Sequence, residues 1–462
     1  MEYSKKIPRK SFHSSKFSDQ AIARNFVDIK IKEREACQQN TTLSQNIQPY
    51  AAPKPNDSIE FFLQKKLLTK NIFELDKMNI HSAQLESTPW SGDYWPIASG
   101  TLGARPFDTE FMGFEGWKER FDYFLENPLH KILNRPDADL VKQLSASEKF
   151  ELFVNDQNSF LTQRMWLEGK TYYDKTGSVE DWMGICHGWA PASYMTPVPK
   201  HAIEIQSPDG RFKTKILPDE LKGLISYLWA KNPYQRVHIG GRCTEKEPKE
   251  NEEGRVIHDD CFDTNPATWH LAILHRIGLE KKSFVMDATY DYEVWNQPVV
   301  GYELKYFNPN SYKMTDRIDD AIISYHDFKK DPYRFFRSKE IKKIIGVAMR
   351  VGYVVEQSVR DHEIEPPDYN EVIWTDYQYD LELDADGNIL GGEWYNNFHP
   401  DFLWTPVDGA IPHSPYDNMI DVHAWSGQGP IPEAWIPPAV SSHYYNGQLL
   451  TPIIYKLIEL SQ

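Results

Sequence analysis

Cysteine is scarce in this 462-residue chain: Cys37, Cys186, Cys243 and Cys261 are the four present, too few for a disulfide framework over such a length. Cys243 and Cys261 are near enough in sequence to bond, but two ordinary thiols is the simpler reading. Long apolar runs are missing too. The best candidate for a membrane span, Ile344 to Val355, is short and carries Arg350, so no transmembrane helix is expected. Cations are outnumbered, 51 Lys and Arg against 67 Asp and Glu, for a net charge of -16. Residues 1–35 hold nine Lys and Arg against five Asp and Glu, which leaves about -20 on the remainder. That sign argues against a nucleic-acid partner, because phosphate binding needs clustered cations. No P-loop, dinucleotide fingerprint or zinc spacing is present. The opening MEYSKKIPRKSFHSS is basic but leads into no apolar stretch of signal-peptide length.

What the chain has in quantity is aromatics, 14 Trp, 25 Tyr and 23 Phe within a hydrophobic content of 40%. Such a composition describes a folded protein with aromatic-rich cores or grooves. Residues 1–55 read as a basic, disordered tail and linker. A helical N-terminal flank is expected over 56–140, with helices from Asp57-Ser58 through Leu68 and from Gly116 to Phe124. Between them, TPWSGDYWPIASGTLGARPF reads as an ordered loop packed on aromatics. Residues 141–320 form the expected catalytic core, and 321–462 a C-terminal covering region of strand and loop around one buried helix, Ser338 to Gln357. The overall expectation is an α+β fold.

Chemistry concentrates in the core. In EDWMGICHGWAPAS, Cys186 stands between two glycines with Trp182 and Trp189 nearby. Small neighbours let a carbonyl approach, and a helix starting at the cysteine would offer free N–H groups and a positive dipole end. Pro191 requires such a helix to be short, kinked or delayed. Downstream, NPATWHLAILHRIGLEKKSFVMDATYD reads as two strands joined by a turn, which would set His270 opposite Asp287. Thiol, base and orienting carboxylate then form a nucleophilic unit, with His275 on the other strand face as a structural histidine. Asp263 and Asn265 are alternatives for orienting the histidine. Trp182, Trp189, Trp269 and Trp295 fall near this site in sequence as lining for a channel, although core packing is expected of at least two. Asp384, Asp386 and Asn388 alternate as calcium ligands do, but Tyr395 at the twelfth position is no carboxylate. A hairpin turning at 385–388 after a half-buried strand through Tyr377, Tyr379, Leu381 and Leu383 is the better reading, and no metal is assigned.

The segment VWNQPVVGYEL, Val294 to Leu304, resembles the elicitor peptide of oomycete cell-wall transglutaminases, with Val300, Tyr302 and Glu303 departing from it. PWSGDYWP, GICHGWAPAS with the downstream PVPKH, and GNILGGEWYNNFHPDFLW are similar to motifs of bacterial members of this transglutaminase elicitor family. The resemblance implies a papain-like catalytic core in which Cys186 is the nucleophile, His270 the base and Asp287 the acid, with no cofactor. It further implies a protein glutamine donor, a primary-amine acceptor such as lysine or a polyamine, and secretion. A thiol peptidase or glutamine deamidase on the same triad is the alternative activity, and a non-enzymatic elicitor or binding protein the alternative class.

Overall fold

The computed structural model describes residues 58–462 apart from 64–68, 135–140, 243–263, 290–291 and the single positions 335, 368 and 397. The expected tail, Cys37, Cys243, Cys261 and Asp263 lie outside the described residues. Helices follow in the order α1 (Ile59–Leu63), α2 (Ile72–Lys77), α3 (Trp117–Glu126), α4 (Leu129–Leu133), α5 (Ala146–Val154), α6 (Phe160–Thr176), α7 (Cys186–Met195), α8 (Pro218–Lys231), α9 (Pro266–Ala272), α10 (Ile436–Ser441) and α11 (Thr451–Leu460). The strands are β1 (Ser82–Gln84), β2 (Ile203–Gln206), β3 (Lys213–Ile216), β4 (Arg236–Gly240), β5 (Val285–Asp287), β6 (Asn296–Phe307), β7 (Met314–Thr315), β8 (Ile323–Ser324), β9 (Lys343–Val354), β10 (Val372–Leu383), β11 (Ile389–Gly391) and β12 (Phe402–Pro406). Helices and an antiparallel sheet in one chain make the fold α+β, as expected.

One ten-stranded sheet organises the molecule, its main path running β11, β10, β9, β6, β5, β12, β4. Strands before and after residue 320 therefore share hydrogen bonds, β6 with β9 and β5 with β12. Both faces of the sheet are covered, and alternation along the strands assigns each residue to a side. Val285, Phe402 and Trp404 pack with Trp189, Ala190, Leu224 and Ile454 from α7, α8 and α11. Their strand neighbours Met286 and Leu403 pack the other way, with Trp269, Leu271, Tyr379 and Phe62. The α7 and α9 helices consequently stand on opposite faces of one sheet.

Three local expectations fail for identifiable reasons. Ser338 to Gln357 is not a helix; it contains β9, whose two faces are both buried, so the apolar run shows no period of two. The expected strand through His270 is α9. Asn265 accepts from the Ala267 N–H at 2.9 Å and Pro266 opens the first turn, a helix start written in the sequence. Asn265 is thus a helix cap. Finally, the C-terminal region carries α10 and α11 in addition to strand and loop; Ile453, Ile454, Leu457 and Ile458 bury one helical stripe against the α7 layer.

Candidate active site

Cys186 opens α7, with Ile185 as the residue before the first turn. The Gly188 and Trp189 N–H groups bond the Ile185 carbonyl at 2.8 and 3.0 Å, and the thiol sits at the positive dipole end of the helix, beside the N–H groups of Cys186 and His187. The helix runs ten residues through Pro191 to Met195, so of the readings allowed by the proline it is short and not delayed. Its position is fixed by close backbone approach. A Cβ on Gly188 would lie 2.1 Å from the Ser226 carbonyl oxygen and 2.7 Å from the Ala230 nitrogen, so α7 and α8 touch main chain to main chain.

Opposite the thiol lies the start of the β5–β6 pair. Asp287 at the end of β5 is the register partner of Asn296 at the start of β6, so the two side chains project to the same side of the sheet, toward α7. Asn296 Nδ2 donates to Cys186 Sγ at 3.4 Å, and its Oδ1 accepts from the Trp404 indole N–H at 2.7 Å. The Cys186 thiol donates weakly to the Val294 carbonyl at 3.8 Å. Tyr94 and Trp295, rings 5.5 Å apart, close over the cysteine with Trp182 and Ala288. Asp287 is fully buried. Its Oδ1 accepts from the Thr289 N–H at 3.3 Å and the Trp295 N–H at 3.0 Å and lies 3.0 Å from the Thr289 hydroxyl, whose one proton has a nearer acceptor in the Glu293 carbonyl at 2.5 Å. Oδ2 has no partner. Burial, only partly offset by those bonds, raises the Asp287 carboxyl to about 7. Burial also pushes the Cys186 thiol up to about 11, against the lowering effect of Asn296, with the Glu356 and Asp287 charges adding to the rise.

His270 is elsewhere. It belongs to α9, across the sheet from Cys186; its Nδ1 lies 2.8 Å from the Tyr379 hydroxyl and its Nε2 is buried without a partner. Burial lowers its pKa to about 3, as expected of an imidazole that stays neutral in a core. The reading of a hairpin with His270 facing Asp287 is corrected: Asp287 does face a polar residue across a strand pair, but that residue is Asn296, on the following strand. Among the described residues, no histidine nitrogen lies within hydrogen-bond distance of Cys186 Sγ or the Asp287 carboxylate. Asn296 and Trp404 were missed by sequence reasoning. Asn296 sits inside the VWNQPV motif, yet nothing but the β5–β6 register reveals that it points at the thiol.

The sequence pattern of the transglutaminase elicitor family matches residues 57–414. This chain belongs to that family. Among solved structures, the GP42 transglutaminase from Phytophthora sojae matches with a TM-score of 0.50 and 20% identity, over 77% of this chain and 91% of that one, a likeness of fold. Comparison with curated proteins finds no match.

Within this transglutaminase elicitor family member the four tryptophans divide evenly. Trp182 and Trp295 border the cysteine. Trp189 is buried in the α7 layer with its indole N–H on the Trp90 carbonyl at 3.2 Å, and Trp269 is buried against Tyr377 on the far face. The motif resembling the elicitor peptide is largely buried, since Trp295 to Tyr302 are all inaccessible. The Asp384 carboxylate is occupied by its own turn, accepting from Asp386 N, Asn388 N and Asn388 Nδ2 at 2.8–2.9 Å, and β10 and β11 flank it as the hairpin reading requires. Asp219, His362 and Glu365 bring ligand-type atoms within 4.8 Å of one another. The Lys222 ammonium already sits among them, 3.1 Å from Asp219 and 2.6 Å from Glu365, so that cluster is a buried ion pair. No helix among the described residues is long and apolar enough to cross a membrane.

Proposed function

We propose that this protein transfers the γ-acyl group of a protein glutamine to a primary amine of the lysine or polyamine type through a thioester on Cys186, with Asp287 as the group that takes the thiol proton. One observation carries the reading: a fully buried carboxyl with an unpartnered oxygen projects from the sheet toward the helix that begins at the cysteine. A carboxyl near 7 is poised to accept and return a proton at neutral pH. Sγ attacks the carbonyl carbon of the glutamine γ-carboxamide as its proton passes to Asp287. The tetrahedral oxyanion forms at the N-terminal, positive end of α7, beside the Cys186 and His187 N–H groups. Asp287 then returns the proton to the departing nitrogen, ammonia leaves and the thioester remains. Asn296 Nδ2 supports sulfur as it gains charge, and Trp404 holds that amide in place.

The cover of Tyr94 and Trp295 favours an amine over water in the second half of the reaction, because it limits solvent at the thioester. Secretion, which family resemblance implies, forms part of the same proposal. The test incubates wild type and Cys186→Ala with a glutamine peptide and a fluorescent primary amine. Incorporation by wild type alone supports the transferase; ammonia release without incorporation points to a deamidase, and peptide cleavage to a peptidase. No product from reduced wild type removes catalysis from Cys186 and leaves the non-enzymatic elicitor reading.

A further inference from the structure

A second buried carboxyl, Glu356, acts on the thiol electrostatically and is not used in the steps proposed above. Glu356 follows β9 and is buried, 5% exposed, as is Gln297, 1% exposed. Gln297 comes directly after Asn296 on β6 and donates its amide N–H groups to both Glu356 oxygens, at 2.9 and 3.0 Å. The other end of that amide, Oε1, is buried with no donor. Next to Glu356, the Gln357 N–H bonds the Gly92 carbonyl at 2.8 Å. This ties the carboxyl to the loop that carries Asp93 and Tyr94, the ring over Cys186. Burial raises both Glu356 and Asp93 to about 7, and the Asp93 charge adds to the rise of Glu356. Glu356 lies close enough for its charge to act on the Cys186 thiol. Among the described residues no lysine, arginine or histidine pairs with Glu356 or Asp93. Glu356 accepts from the Gln297 amide and Asp93 from the Trp95 N–H at 2.6 Å, so both carboxyls have neutral donors but no cation, and Gln297 Oε1 has no donor at all; a primary ammonium group brings the missing charge and three N–H bonds to give.

We infer that Glu356, with Asp93 and Gln297, forms the subsite for the acceptor amine: it receives a primary ammonium group, takes one proton from it, and presents the free amine to the thioester. The inference rests on the acyl-transfer reading above. In this step the first N–H proton moves to the Glu356 carboxylate. The nitrogen lone pair then forms the bond to the acyl carbon, and the C–S bond breaks with its electron pair on sulfur. The second amine proton passes through Asp287 to Sγ, restoring the thiol, and Glu356 releases its proton to solvent.

The experiment offers wild type and Glu356→Gln a glutamine dipeptide donor with cadaverine, a cation at pH 7, or hydroxylamine, which is neutral there and needs no deprotonation before attack. The ratio of cadaverine product to hydroxylamine product is expected to fall roughly 100-fold in the variant, the usual share of a general base. A ratio within about twofold of wild type would overturn the inference, since a base on the acceptor is worth far more than that. If Glu356→Gln shows no cooperative melting, Asp93→Asn takes its place, with the same ratio expected to fall about tenfold from loss of one charge-assisted contact. Wild type that forms no thioester by intact mass would refute acyl transfer itself. A wild-type thioester together with an unchanged ratio would refute the acceptor subsite alone.

Discussion

Replacing Asp287 with asparagine separates the two assignments of the base. The side chain keeps its shape, and the asparagine carbonyl can accept the same backbone N–H groups that Oδ1 accepts, from Thr289 and Trp295. Only Oδ2, which has no partner, is changed to an amide nitrogen. The fold should therefore survive with a loss of about 1 kcal/mol or less. Catalysis should not: removing a positioned proton acceptor lowers kcat by about 10²–10⁴-fold, or about 3–5 kcal/mol on the barrier. The pH profile gives a second reading from the wild type. With Asp287 at about 7, kcat/KM rises with pH as the carboxyl ionises, and at pH 5 about 1% of the plateau should remain. If His270, held at about 3, were the base, it would be fully competent at pH 5. The assay is amine incorporation followed across pH 4.5–8.5, with circular dichroism to show that the variant is folded. An Asp287→Asn enzyme retaining more than about a tenth of wild-type activity, or full wild-type activity at pH 5, would refute Asp287 as the base.

Other consequences follow from the same geometry. His270→Phe should leave the Tyr379 hydroxyl with only Met349 Sδ at 3.8 Å, costing about 1–3 kcal/mol of stability while kcat/KM at 25 °C stays near wild type; melting curves and kinetics on one preparation check both. Trp404→Phe removes the N–H that holds Asn296, so the thiol pKa should rise and the pH profile of iodoacetamide alkylation move upward, a shift that mere loss of packing would not give. Gly188→Ala forces α7 off α8 and should cost about 1–3 kcal/mol and most of the activity, read by urea melts and amine incorporation. Arg337 faces Asp331, Asp380 and Glu382, all buried; one cation cannot balance three carboxylates there, and burial raises Asp380 to about 6 and Glu382 to about 7. Groups raised in the folded state stabilise it below their unfolded pKa and lose that contribution as pH rises through the folded one. With Asp93 and Glu356 also at about 7, the melting temperature should fall between pH 5 and pH 8, by scanning calorimetry.

Legibility in the sequence followed solvent exposure. The helix expected from Gly116 is present as Trp117–Glu126, and the strand through Tyr377, Tyr379, Leu381 and Leu383 is present as β10, because each keeps one face wetter than the other. Where both sides are buried the period vanishes, which is why β9 read as a helix and α9 as a strand. Cys186 was legible because its setting is local: glycines, aromatics and a helix start within a few residues. Its partners are brought in by sheet register from 100 and more residues away, and register is not written in any short window. The Asn265-Pro266 pair was a readable sign that His270 belongs to a helix, and it outranks the alternation that suggested a strand.

The main-chain contact at Gly188 has a consequence for motion. A helix seated backbone to backbone on its neighbour has no side-chain layer to repack, so α7 cannot slide or tilt to open a path to its own first residue. Admission must come from parts that swing by bond rotation: the Tyr94, Trp182 and Trp295 rings and the loops bearing them. Those gates can open in nanoseconds to microseconds while the nucleophile stays still. Hydrogen exchange should accordingly find the α7 amides among the slowest of the described residues.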